Sequence, residues 1–89
     1  GEESDIEVRD GDEFWVSGRV TLDELSDALG VEITSDEVTT VGGLIYERLG
    51  RVPRAGERLE IEGLAVVVER VRRRQVQRVY FRRPTAEAP

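Results

Sequence analysis

The sequence predicts a small α+β domain of order β-α-(β)-α-β-β-β, in which a small sheet packs with two helices. Three observations carry that expectation: a helix with both ends marked, a second apolar stripe closed by glycine, and a C-terminal third that alternates with period two around tight-turn signals. With 89 residues and an apolar share of 38%, the chain can build one core and no second.

Residues 1–8 are acidic and offer only Ile6 and Val8 for burial, so they read as a linker entering the fold. Asp10 and Gly11 signal a turn. Phe14, Val16 and Gly18 then alternate with Trp15, Ser17 and Arg19 as a strand does. Thr21 followed by Glu24 forms a capping box. Behind it Leu22, Leu25, Ala28 and Leu29 share one helical face, and Gly30 supplies the left-handed cap. Val31–Ile33 is the bracketed extended piece. A second helix follows, started by Asp36, Thr39 or Thr40, burying Val41, Leu44, Ile45 and Leu49, and ended by Gly50.

Pro53 and Gly56 make the next stretch a loop, because proline cannot continue the helix before it. Leu59 and Ile61 alternate, Glu62-Gly63 is a hairpin turn, and Leu64, Val66 and Val68 share a face. Arg72, Arg73 and Arg74 form the next turn. The last strand presents Val76, Val79 and Phe81, whose spacing of three then two calls for a β-bulge. The folded unit expected is therefore 9–83, with 84–89 a disordered, proline-containing tail.

Composition excludes most catalytic chemistry. With no His, Cys or Lys, the chain cannot assemble a Ser/His/Asp or Cys/His nucleophile, a Schiff base, a Walker lysine or a histidine zinc site. Carboxylate acid/base work and oxygen-ligand metal binding survive that test. No apolar run approaches the roughly 18 residues of a membrane helix, so no direct membrane insertion is expected. With no methionine anywhere, the chain is expected to be a processed chain or an excised domain.

Charge is segregated along the chain. Residues 1–47 hold 14 acids against two arginines, and residues 48–89 hold 11 arginines against five acids. Asp10, Asp12 and Glu13 offer clustered carboxylates, but their spacing is not that of a calcium loop, and they read as a solvated acidic turn. Gly42 and Gly43 have two readings: close packing of helix on sheet, or backbone amides facing a phosphate. Arginines 72, 73, 74, 78, 82 and 83, with Tyr80 and Phe81, mimic an RNA-binding strand. The overall charge of −6 opposes that, so nucleic acid is not expected as a partner. The turn Arg72, Arg73 and Arg74 is the candidate docking surface for an acidic protein surface; the alternative is a solvated turn.

With the elements in order, the sequence resembles the CorC/HlyC transporter-associated domain over nearly all of 9–83. The matching segments are Asp10-Gly11 with Phe14 to Arg19, Leu22-Asp23-Glu24-Leu25, Thr40-Val41-Gly42-Gly43-Leu44 within Glu37 to Leu44, Leu49-Gly50-Arg51-Val52-Pro53 and Gly56-Glu57. Gly63, Val68, Val76, Val79 and Phe81 extend the match. The resemblance implies a reduced FAD-binding fold of the PCMH type. It also implies a non-catalytic, regulatory or docking domain that modulates ion transport. Its place would be at the cytoplasmic face of the cell membrane, within magnesium and cobalt transport or efflux proteins. The implied partners are the rest of the parent protein, a CBS pair and a membrane domain, with self-association as a further option. No metal or other cofactor is expected. The fold kinship raises flavin or an adenine nucleotide, and with them the alternative of a nucleotide- or flavin-binding sensor domain, but it transfers no binding residue.

Overall fold

The computed structural model describes residues 5–84. Its elements are β1 (Ile6–Arg9), β2 (Glu13–Ser17), α1 (Leu22–Leu29), α2 (Val41–Leu49), β3 (Arg58–Ile61), β4 (Leu64–Arg72) and β5 (Gln75–Arg82). The five strands form one antiparallel sheet in the order β1-β2-β5-β4-β3.

Strand β1 corrects the expected linker 1–8. Ile6 and Val8 lie two apart and project to one face, and the strand pairs with β2 from Ile6↔Val16 to Arg9↔Glu13. An edge strand needs only part of one face buried, so an acidic composition did not prevent it. Of the expected tail 84–89, all but Pro84 lies outside the described residues, as do residues 1–4.

Both helices start as the sequence dictates. The Thr21 hydroxyl accepts from the Glu24 amide at 3.1 Å, and the Glu24 carboxylate accepts from the Thr21 amide at 3.0 Å. Thr40, of the three residues considered, caps α2. Gly30 and Gly50 close the helices in the left-handed conformation. The bracketed piece Val31–Ile33 is not a strand. Ile33 is buried, but its amide and carbonyl are both satisfied by the Ser26 hydroxyl, at 3.0 and 3.1 Å, instead of by a neighbouring strand.

The core lies between the helices and one sheet face. Leu25 and Leu29 of α1 and Leu44 and Ile45 of α2 meet Phe14, Val16, Val66, Val68, Val79 and Phe81 there, all fully buried. The expected bulge is present, and it has a partner. Register shifts on passing from Val68 to Arg70 and shifts back before Val71, so an extra residue on β4 is answered by one on β5. That double irregularity accounts for the spacing of three both from Val68 to Val71 and from Val76 to Val79. Among the described residues, the opposite sheet face carries no helix.

Candidate functional site

The arginine turn is the tip of the β4–β5 hairpin. Arg72 belongs to the strand, paired with Gln75, and Arg73 and Arg74 alone make the turn, which narrows the expected three-residue turn to two. Both turn residues have positive φ, 53° and 66°. Two-residue hairpin turns of this kind favour Asn-Gly, and a side chain other than Gly, Asn or Asp costs about 1 kcal/mol or more in the left-handed region. All three arginines are exposed and enter no ion pair among the described residues. The turn is nevertheless anchored, because the Tyr46 hydroxyl of α2 donates to the Arg74 carbonyl at 2.8 Å.

Tyr46 also lines an open cleft of about 630 Å³ between the start of α2 and the ends of β2 and β5, with Ser17, Gly18, Thr40, Gly42 and Gln75 around it. At its floor, backbone meets backbone. The Gly18 amide donates to the Gln77 carbonyl at 3.1 Å, and the Gly18 carbonyl accepts from the Gly42 amide at 2.9 Å. A Cβ on Gly18 would lie 2.0 Å from the Val76 carbonyl oxygen, and one on Gly42 would lie 3.2 Å from the Gly18 oxygen. Gly42 is thus a packing residue.

The phosphate reading of Gly42-Gly43 finds its donors already engaged. The Val41 amide donates to the Val20 carbonyl, the Gly43 amide to the Thr40 hydroxyl and the Leu44 amide to the Thr40 carbonyl, at 2.9, 3.2 and 2.9 Å. A helix N-terminus binds anions through free amides, and the first turn of α2 has committed its own. Among the carboxylates of the Asp10–Glu13 turn, that of Glu13 is already engaged. Glu13 accepts from the Tyr80 hydroxyl at 2.5 Å on the uncovered sheet face, where burial first and this carboxylate second raise the phenol pKa. Among the described residues no three acidic side chains gather as a metal site would require.

Sequence reasoning found the glycine pair and the arginines but missed Tyr46, which joins them. It also left Gly18 as an ordinary strand residue, although an isolated glycine in a strand pattern signals close backbone approach.

A sequence profile described as "Transporter associated domain", CorC_HlyC, matches residues 7–85. The chain belongs to the CorC/HlyC transporter-associated domain family. The magnesium and cobalt efflux protein CorC of Salmonella typhimurium is 31% identical over 85 residues, covering 93% of this chain and 29% of the relative. The chain thus spans under a third of that relative's length. A CorC_HlyC domain from Nitrosomonas europaea superposes with a TM-score of 0.86 at 21% identity, over 93% of this chain and all of the other. The transporter associated domain of a CBS domain protein from Porphyromonas gingivalis gives 0.78 at 19% identity, over 90% and 98% of the two chains. These likenesses establish the small α+β CorC_HlyC fold. Among the described residues, no helix is long and apolar enough to cross a membrane.

Proposed function

We propose that this CorC_HlyC domain is a non-catalytic regulatory module of a magnesium and cobalt efflux protein, acting from the cytoplasmic face of the membrane. It docks the Arg72–Arg74 tip onto an acidic surface of the rest of its parent protein. The observation that carries this reading is the tip itself: two arginines held in a backbone conformation that costs stability, without acidic partners among the described residues, and fixed from behind by Tyr46. Guanidinium groups suit such a role through their fork geometry and weak hydration. The relation to CorC supplies the transport context. The flavin or adenine-nucleotide alternative has little to rest on in the cleft, since the α2 amides are taken and no lysine exists to meet a phosphate.

The test is Arg72→Glu, Arg73→Glu and Arg74→Glu together in the full-length parent protein, read as magnesium or cobalt efflux. Circular dichroism of the 89-residue chain serves as the fold control. Efflux or its regulation should change while the fold persists; unchanged transport with an intact fold removes the tip from the mechanism. A flavin absorption band in the purified chain would favour the sensor alternative instead.

A further inference from the structure

The helix-free face of the sheet carries an ordered pattern. Register aligns Glu7, Trp15, Tyr80, Val67 and Arg58 in one row across all five strands. The next row runs Arg9, Glu13, Arg82, Ala65 and Glu60. The first row has an apolar centre: the Trp15 and Tyr80 rings stand 5.1 Å apart, with Val67 beside them. Each row ends in opposite charges, Glu7 against Arg58 and Arg9 against Glu60, so that each edge of the sheet carries one acid and one arginine. Arg58 and Glu60 make no ion pair among the described residues.

We propose that this face binds a second copy of the chain, sheet on sheet, about a two-fold axis running along β5. Rotation about that axis reverses each row against itself. Tyr80 then meets the partner's Tyr80, and Trp15 meets the partner's Val67. Glu7 meets the partner's Arg58, and Arg9 meets the partner's Glu60. The Tyr80 contact lies on the axis and occurs once, and each of the other three occurs twice, as a two-fold interface requires. On the axis itself Arg82 meets the partner's Arg82, with the Glu13 carboxylate of each copy on the neighbouring strand, and Arg78 meets the partner's Arg78, each already neutralised by Glu69 at 3.2 Å and Glu7 at 3.7 Å. A two-fold axis across the strands would also oppose charges, pairing Glu7 with the partner's Arg9. It would, however, set Trp15 on the partner's Glu13, stacking the apolar centre on the charged row. The axis along β5 is therefore the one that keeps the apolar centre on itself while pairing the charges at the sheet edges.

Five strands about 4.8 Å apart, with about five residues each at 3.4 Å, give a footprint of about 400 Å². Stable interfaces bury about 800 Å² per partner, so the dimer should be weak and sensitive to salt. Sedimentation of the 89-residue chain from tens to hundreds of micromolar, at low and high salt, should show reversible dimerisation. Arg9→Glu alone or Glu60→Arg alone should weaken it at least about tenfold, and the double exchange should restore it to within about threefold. Arg72→Glu, Arg73→Glu and Arg74→Glu should leave it unchanged, which separates this interface from the docking tip. A chain that stays monomeric throughout, a double exchange that fails to rescue, or rescue of Arg9→Glu by Glu7→Arg would each overturn the proposed interface.

Discussion

At the scale of single residues, backbone approach and one ion pair decide more than composition suggests. A Cβ on Gly18 would sit 2.0 Å from the Val76 carbonyl oxygen, so Gly18→Ala must push β5 aside. Overpacking against backbone should cost about 3 kcal/mol or more, read from a denaturant midpoint. Gly42→Ala meets only a 3.2 Å contact and gains about 1 kcal/mol of helix propensity, so it should be close to neutral. Equal losses in the two variants would contradict the close-approach account. Glu57 gives a pH signature. Its hydrogen bond from Arg51, and then that from the Arg54 amide at 2.7 Å, lower its pKa from 4.5 to about 2. A depressed carboxylate stabilises the fold above its unfolded pKa and loses that contribution as pH falls from about 4.5 towards 2. Thermal melts across that window should be flatter for Glu57→Gln than for the native chain; parallel curves would show that the pair adds nothing.

At the scale of elements, what the sequence disclosed was local. The capping box at Thr21 and Glu24, the closing glycines and the turn at Glu62-Gly63 each depend on residues within one turn of each other, and all appear in the structure. Strand β1 was hidden because its evidence is non-local: Ile6 and Val8 become strand residues only once Val16 and Phe14 lie beside them. Ile33 shows the converse, an apolar residue whose buried backbone is satisfied by the Ser26 side chain, an arrangement that leaves no periodic trace. The cleft was illegible for the same reason, since Gly18, Gly42 and Tyr46 approach one another only in the fold. The helix phasing can be tested directly: Leu25→Ala or Leu44→Ala, each removing a fully buried side chain, should cost about 2 to 5 kcal/mol. The arginine tip predicts the opposite sign. Replacing Arg73-Arg74 by Asn-Gly relieves two positive-φ positions and should raise stability by about 1 kcal/mol, despite glycine's greater freedom in the unfolded chain. A loss would mean that the arginine side chains stabilise the hairpin themselves, weakening their assignment to a partner.

At the scale of the whole molecule, the charge segregation of the sequence persists in space. Among the described residues one ion pair, Arg78 with Glu7, joins the acidic half to the basic half, whereas Arg48–Glu62, Arg51–Glu57 and Arg78–Glu69 stay within the second. The acids of α1 and the loop after it, from Asp23 to Glu37, are consequently left to repel one another. Magnesium should therefore act on this chain as a screening ion. The caps, turns and apolar faces agree with one another, so the core is expected to close without a metal ion. Screening of like charges should raise the melting temperature modestly, and sodium chloride at equal ionic strength should raise it by a similar amount. In a domain of this size about 1 kcal/mol corresponds to roughly 4 to 8 °C, so the comparison is easily resolved. Melts in magnesium chloride, in sodium chloride of matched ionic strength and with a chelator give the answer. A rise of many degrees specific to magnesium at low millimolar concentration would reveal a binding site and make the domain a direct sensor of the ion. Matched curves would show that the chain answers magnesium only as it answers any salt.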